Sequence, residues 1–275
     1  MQNAGIGALG LDWRYLAFEV VPEMLREAIR GAGAMNFIGL NLTVPHKLLA
    51  VSMVDVLDPS ASRWGAVNTV RFEGMASSGE WLPLREFERA PALTRSVGFN
   101  TDADAIARSV REDLGMELKG RRVLLLGVGG AGRTAALRLA SEGVDRLYLV
   151  NRTISKAAEA ASEINSLMGR SVADVGYPGE TVDLVINATS LGLKSSDPLP
   201  FDAREFDPGR AGAAYYMIYR PAETPFLTAA RKAGCRTENG LGMLLFQGAA
   251  ALELWSGRPA PVEQMRRALH SNIYG

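Results

Sequence analysis

Three glycines follow a short apolar segment at a spacing that can hold a phosphate group. The segment Arg122–Leu126 runs into Gly127, Gly129 and Gly132, and a helical pattern follows. In this context the first glycine permits a tight turn, the second lets the backbone approach a pyrophosphate, and the third lets the helix pack closely on the strand. The helix N-terminus also presents free N–H groups to the phosphates. The spacing predicts a dinucleotide site, and the alternative is a Gly-rich turn without a ligand.

The residues after the next predicted strand indicate which dinucleotide binds. Asn151, Arg152 and Thr153 stand where an enzyme that uses NAD usually carries an Asp or Glu for the ribose hydroxyls. A guanidinium instead suits a phosphate through planar, charge-assisted hydrogen bonds. We therefore expect NADP rather than NAD, with Arg152 as a solvated residue at a helix start as the alternative. Arg133 either adds a second basic contact or faces solvent.

Polar residues also follow a third strand of this region. The predicted strand over 182–186 leads into Asn187, Ala188, Thr189 and Ser190. Ligands of open parallel sheets bind beyond the carboxyl ends of the strands. These residues are therefore expected to contact the cofactor, and an ordinary strand-to-loop exit is the alternative.

The N-terminal third carries three further polar groups. Lys47 stands at a strand exit and helix entry, Asn68 lies in the segment Gly65–Thr69, and Asp102 lies in the segment Gly98–Asp102. Taken singly, Lys47 could be a surface lysine, Asn68 a turn residue and Asp102 a helix N-cap.

The elements that must position these groups follow from hydrophobic spacing and from Gly and Pro. The first third is expected to alternate strands at 15–20, 37–42 and 67–72 with a helix at 22–30, and 74–95 is expected to be a long loop. From Thr101 the pattern alternates regularly: helices at 103–114, 131–142 and 154–168, strands at 122–126, 146–150 and 182–187, and a last helix at 240–257. Strands that alternate with helices predict a doubly wound parallel sheet.

These segments, in this order, make the chain resemble the shikimate dehydrogenase family over nearly its full length. The family patterns are N-x-T-x-P-H-K, G-A-V-N-T, N-T-D, G-x-G-G-A-G/S, N-R-T, N-A-T-S and G-L-x-M-L-x-x-Q. They are matched here by Asn41–Lys47, Gly65–Thr69, Asn100–Asp102, Gly127–Gly132, Asn151–Thr153, Asn187–Ser190 and Gly240–Gln247.

The resemblance implies an α/β protein that joins a Rossmann-type doubly wound parallel sheet to a smaller, discontinuous α/β substrate domain. The NADP-binding domain is expected at 102–239, and the substrate domain at 1–101 and 240–275. The implied reaction is the reversible, NADP-dependent reduction of 3-dehydroshikimate to shikimate, a step of aromatic amino-acid (chorismate) biosynthesis.

The resemblance also assigns roles to single residues. Lys47 matches the catalytic lysine and Asp102 its partner aspartate, while Asn41, Thr43, Asn68 and Gln247 match substrate ligands. Met217 and Gly240 fall where the family lines the nicotinamide. The remaining cofactor contacts are expected from Gly127, Gly129, Gly130, Ala131, Gly132, Asn151, Arg152, Thr153, Asn187, Ala188, Thr189 and Ser190.

Several positions depart from the family. The family's first strand and its Ser-x-Ser-Pro motif, whose hydroxyls bind the substrate carboxylate, have no counterpart in these 275 residues. Tyr216 replaces the Asp of a D-x-x-Y pattern, Ala105 replaces a Gly, and the segment 74–95 is longer than the family's hairpin. The alternatives are therefore a quinate or aminoshikimate dehydrogenase, or an NADP-binding member with weak or no activity.

Charge and composition exclude other function classes. Thirty basic residues balance 30 acidic ones, so bulk charge does not support binding to nucleic acid or an anionic membrane. One cysteine and two histidines leave little for a disulfide or a zinc site, and we expect no metal. No apolar run reaches the roughly 18 residues of a membrane span. We expect a cytoplasmic monomer or homodimer that takes a small-molecule substrate.

Overall fold

The computed structural model describes residues 1–194 and 196–275. The chain folds into two compact units. Unit 1 comprises Met1–Asp102 and Leu245–Asn272, and unit 2 comprises Ala103–Leu244 and Ile273–Gly275. These units are defined by packing alone, so the functional domain assignment stays a prediction.

Unit 1 is built on a sheet of five strands. Its strands are β1 (Gly39–Asn41), β2 (Val56–Leu57), β3 (Thr69–Met75), β4 (Trp81–Pro83) and β5 (Thr94–Phe99). The order is β1-β3-β5-β2, with β4 paired to β3. Strand β3 runs antiparallel to β1, β4 and β5, whereas β2 and β5 are parallel. Its helices are α1 (Gln2–Ala8), α2 (Leu25–Ala34), α3 (His46–Leu49), α4 (Pro59–Trp64), most of α9 (Leu241–Ser256) and most of α10 (Val262–Tyr274).

The core of unit 1 follows from helical and strand periodicity. Leu25, Ile29 and Ala32 recur on one face of α2 and are buried. They pack with Val70 and Phe72, which are two positions apart on β3. The packing of α2 on β3 thereby fixes the sheet that carries the residues at the strand ends.

Two expectations for the N-terminal third are wrong. No described residue pairs with 15–20 to make a strand. Instead the Asn3 side chain bonds the backbone of Tyr15, accepting from its N–H at 2.7 Å and donating to its carbonyl at 2.9 Å. The second error concerns 74–95, which is partly ordered rather than a loop, because β4 pairs with the end of β3.

Unit 2 is an alternation of strands and helices, as predicted. Its strands are β6 (Arg122–Leu126), β7 (Arg146–Val150), β8 (Ala173–Val175), β9 (Val182–Asn187), β10 (Ala211–Tyr216) and β11 (Arg236–Glu238). Its helices include α5 (Asp102–Asp113), of which Asp102 belongs to unit 1, α6 (Gly130–Ser141), α7 (Ile154–Met168) and α8 (Pro225–Lys232).

The sheet of unit 2 is parallel throughout, in the order β11-β10-β9-β6-β7-β8. If the six strands of this unit are numbered 1 to 6 along the chain, their order in the sheet is 6-5-4-1-2-3, which is the doubly wound Rossmann order. The strand order switches from one side of the sheet to the other between β6 and β9. The paired carboxyl ends of these strands, Leu126 and Asn187, therefore mark the crevice where such sheets bind dinucleotides. The predicted fold class is confirmed.

Across the described part of the chain, no helix combines the length and apolar character that a membrane crossing requires.

A glycine on β1 gives a direct test of this packing. An ideal Cβ on Gly39 would lie 2.0 Å from Trp255 Nε1 and 2.5 Å from the Val70 carbonyl oxygen. We expect Gly39→Ala to lower the free energy of unfolding by about 2–3 kcal/mol, because the indole must move. The measurement is urea denaturation.

Gly31 on α2 is the matched control, since a Cβ there meets no atom within 4 Å. Gly31→Ala should raise stability by about 0.5–1 kcal/mol through its helix propensity. Equal effects from both substitutions would contradict the described packing of Trp255 on β1.

Candidate active site

Lys47 and Asp102 form an ion pair in unit 1. Lys47 Nζ lies 2.7 Å from Asp102 Oδ2, and the two side chains are 29% and 15% exposed. Short helix α3 carries Lys47, and its carbonyl accepts from the Val67 N–H at 2.9 Å. Asp102 begins α5, where its N–H donates to Asn100 Oδ1 at 3.1 Å. Two strand exits thus bring a cation and a carboxylate together, partly shielded from water.

A network of neutral amides and hydroxyls adjoins this pair through Thr101, the residue before Asp102. Asn68 Oδ1 accepts from the Thr101 N–H at 2.8 Å, and Asn68 Nδ2 donates to Thr101 Oγ1 at 2.9 Å and to Gln247 Oε1 at 3.4 Å. Thr69 Oγ1 and Thr101 Oγ1 are 3.2 Å apart. Helix α9 therefore supplies an amide to a cluster built by β3 and the β5–α5 turn.

Asn41 belongs to the same network, and its amide is oriented by Tyr15, a residue that the sequence patterns do not indicate. Asn41 Nδ2 donates to Thr69 Oγ1 at 3.0 Å and to the Asn68 carbonyl at 3.3 Å. Its Oδ1 accepts from the hydroxyl of Tyr15 at 3.0 Å. Burial raises the pKa of Tyr15, so the hydroxyl stays a donor. Tyr15 fixes the orientation of the Asn41 amide.

The structure brings most of the predicted substrate residues together. Asn41, Asn68 and Gln247 belong to one hydrogen-bonded cluster, and Lys47 pairs with Asp102. Thr43 lies on the exposed loop before α3, where its carbonyl accepts from the His46 N–H. No local signal in the sequence could have located Tyr15, because its partner lies 26 positions away.

The glycine turn of unit 2 has the predicted geometry. Gly127 adopts φ +95°, which favours glycine. An ideal Cβ on Gly132 would lie only 2.1 Å from the Gly127 carbonyl oxygen, so helix α6 packs directly on the turn. Gly129 and Gly130 are exposed, and a Cβ on either would meet open space. Gly129 caps α6 without a side-chain bond, which leaves the first amides of the helix for a ligand.

Of the residues after β7, Asn151 is held by hydrogen bonds and Arg152 is exposed. Asn151 Oδ1 accepts from the Val128 N–H at 3.0 Å, and its Nδ2 donates to the Thr153 carbonyl at 2.9 Å. Its amide thereby holds the glycine turn. Arg152 is exposed, and no described carboxylate pairs with it. Arg133 is partly exposed to solvent and pairs with Glu163, with Nε 2.9 Å from Oε2.

The loop after β9 is closed by its own side chains. Asn187 Oδ1 accepts from the Thr189 N–H and hydroxyl at 2.9 and 2.7 Å. Its carbonyl accepts from the Met217 N–H at 3.0 Å. A Cβ on Gly240 would lie 2.3 Å from the Met217 carbonyl oxygen, so that contact also requires glycine. Ser190 is exposed at the rim of this loop.

Family models and relatives agree along the chain. Residues 1–70 match the shikimate dehydrogenase substrate binding domain, 107–194 match shikimate / quinate 5-dehydrogenase, and 240–270 match the shikimate 5'-dehydrogenase C-terminal domain. The shikimate dehydrogenase (NADP(+)) of Methanopyrus kandleri is 37% identical over 99% of this chain and 90% of its own length. That of Moorella thermoacetica is 41% identical over 98% of this chain and 86% of its own length.

This chain belongs to the shikimate dehydrogenase family.

Solved structures of this family share the fold. A shikimate dehydrogenase in complex with NADP+ has a TM-score of 0.83 at 31% identity, over 99% of this chain and 90% of that chain. The shikimate 5-dehydrogenase of Thermus thermophilus, in complex with NADP(H) and shikimate, has a TM-score of 0.79 at 33% identity, over 98% and 92%. The family and the Rossmann-type fold predicted from the motifs are confirmed.

The bond between Tyr15 and Asn41 generates a stability prediction for this shikimate dehydrogenase family member. Tyr15→Phe keeps the ring against Trp255 but leaves Asn41 Oδ1 without that donor. We expect the free energy of unfolding to fall by about 1 kcal/mol.

Tyr148→Phe is the matched control, because its hydroxyl bonds exposed Glu180 at 2.8 Å. It should change stability by less than about 0.5 kcal/mol. Equal losses in urea denaturation would contradict the positioning of Asn41 by Tyr15.

Proposed function

We propose that this chain catalyses the reversible, NADP-dependent reduction of 3-dehydroshikimate to shikimate. The observation that carries the proposal is the Lys47–Asp102 pair at 2.7 Å beside the neutral Asn68–Gln247 cluster, in a member of the shikimate dehydrogenase family. A ketone that becomes an alkoxide needs a proton donor, and a polyol needs neutral hydrogen-bonding partners. The site supplies both.

The residues of unit 2 fit the cofactor. Gly129 and Gly130 leave open space at an uncapped helix N-terminus, which suits a pyrophosphate. Arg152 is exposed and suits the 2′-phosphate that distinguishes NADP from NAD. Met217 and Gly240 are the proposed lining for the nicotinamide, and Asn187–Ser190 are proposed as further cofactor contacts. When bound, the cofactor supplies the hydride.

Lys47 is the proposed proton donor. Its ammonium can stabilise negative charge on the substrate oxygen and then give up a proton to it. Asp102 holds the ammonium in place through the 2.7 Å ion pair. In the oxidative direction, the neutral amine of Lys47 takes the proton back from the hydroxyl.

The amides define the proposed substrate ligands. Asn68 and Gln247 offer donors and acceptors to the ring hydroxyls, and Thr43 is exposed on the loop beside Lys47. A ring hydroxyl would replace the long 3.4 Å bond between Asn68 and Gln247, and an analogue that lacks the hydroxyl forgoes the hydrogen bonds gained in that exchange. Asn41 contributes through the orientation of Thr69 and Asn68.

The functional domains are proposed at 1–101 with 240–275 and at 102–239. A cytoplasmic location is supported by the single cysteine, which is free and buried. The chain is proposed to act as a monomer or a homodimer.

Replacing Lys47 tests the proposed chemistry. Lys47→Ala should reduce turnover of NADP+ with shikimate by at least about 10³-fold, because both charge stabilisation and proton transfer are lost. NADPH affinity, followed by nicotinamide fluorescence, should stay within a few-fold.

Lys119→Ala serves as the control, since Lys119 is exposed on unit 2. It should leave turnover unchanged. Turnover by Lys47→Ala at the wild-type rate would remove this lysine from the mechanism.

Replacing Arg152 tests cofactor choice. Arg152→Ala should weaken NADPH roughly 10- to 100-fold and NADH by much less, because only NADPH offers a 2′-phosphate to the guanidinium. Calorimetric titration with each nucleotide gives the ratio.

Arg133→Ala is its control, because Glu163 already engages that guanidinium. It should leave the NADPH-to-NADH ratio near its wild-type value. If Arg152→Ala weakens both nucleotides equally, Arg152 does not bind the 2′-phosphate.

A further inference from the structure

Tyr216 ends strand β10 inside unit 2, at the position where the family pattern has an aspartate. Its ring is fully buried and packs edge-on against Phe226, at 6.1 Å between centroids. It lies opposite Asn187 in the pairing of β10 with β9. A tyrosine here reaches further than an aspartate and can bond beyond its own strand.

The hydroxyl of Tyr216 bonds the loop that follows β9. It donates to the Leu191 carbonyl at 2.9 Å. Burial raises the pKa of Tyr216 to about 12, with the charge of nearby Asp197 as a smaller cause, so the hydroxyl remains a donor at neutral pH. Asn187 Nδ2 is a second donor to the same carbonyl, at 3.2 Å.

Gly192, the next residue of the loop, lies close to the Tyr216 hydroxyl. Gly192 adopts φ +115°, and a Cβ there would lie 3.2 Å from Tyr216 Oη. Its N–H donates to Asp197 Oδ2 at 3.0 Å. The end of the loop is therefore held from inside by Tyr216 and from outside by Asp197.

The start of the loop touches the glycine turn. A Cβ on Gly127 would lie 2.7 Å from Thr189 Cγ2, and one on Gly132 would lie 3.3 Å from the Cβ of Ala188. The position of the loop therefore sets the space beside the turn. A loop that moves at Leu191 moves Thr189 as well, because Thr189 Oγ1 accepts from the Leu191 N–H at 3.1 Å.

We propose that Tyr216 is a positioning residue, whose hydroxyl holds the loop 188–192 against the glycine turn in the conformation that binds the nicotinamide nucleotide. This inference rests on the proposed function. It assigns to Tyr216 a contribution shared by NADPH and NADH, unlike that of Arg152, because the loop packs on the turn proposed to bind the pyrophosphate, which both nucleotides carry.

The test removes only the hydroxyl. Tyr216→Phe should raise the Kd of both NADPH and NADH by the same factor, about three- to ten-fold, as expected for the loss of one neutral hydrogen bond. The KM for shikimate should stay at its wild-type value. Gly192→Ala approaches the contact from the loop side and should weaken both nucleotides in the same way.

Tyr177→Phe is the matched control. Its ring packs against the same apolar cluster, and its hydroxyl accepts from the Asp202 N–H at 3.0 Å. It should leave both Kd values unchanged.

Each outcome is decisive. Unchanged nucleotide affinity in Tyr216→Phe, or an equal loss in Tyr177→Phe, would overturn the inference while wild-type binding and turnover leave the proposed function intact. A wild-type chain that binds neither nucleotide would overturn both.

Discussion

The ion pair between Lys47 and Asp102 is the constraint around which unit 1 is arranged. A lysine and an aspartate 55 positions apart are brought to 2.7 Å by two strand exits, and each backbone is fixed by its own hydrogen bond. Partial burial makes this pairing necessary, since either charge alone would lose hydration without compensation. The neutral cluster of Asn68, Thr69 and Thr101 adjoins Asp102 through Thr101, and its donors and acceptors satisfy one another.

In unit 2, the backbone amides at the N-terminus of α6 are open to a ligand, while the turn that carries them is held in a fixed conformation. Its glycines do this in two ways. Gly129 and Gly130 open the space above the helix N-terminus, while Gly127 and Gly132 allow the turn to pack on Thr189 and Ala188. Asn151 closes the turn from the β7 side. Tyr216 acts on the opposite side, through the loop that touches the turn.

Local sequence patterns are sufficient to predict the glycine turn and the parallel sheet of unit 2. The glycine spacing and the strand-helix alternation after Thr101 predict the parallel sheet, because each element is specified by neighbouring residues. The strand expected at 15–20 failed because strand formation depends on a partner, and the local pattern carries no information about one. The same limit hid the bond from Tyr15 to Asn41 and the pairing of Arg133 with Glu163. The motifs located Asn68 and Gln247, which lie 179 positions apart, only because the family resemblance links them.

The proposed reaction transfers a hydride between shikimate and the nicotinamide of NADP. The most direct measurement is the nicotinamide absorbance of a mixture of the 275-residue chain, shikimate and NADP+. We expect the reduced-nicotinamide band to grow at a rate proportional to protein concentration, and to decay when the chain is mixed with 3-dehydroshikimate and NADPH. An unchanged spectrum, in a sample whose fluorescence shows bound NADPH, would contradict it.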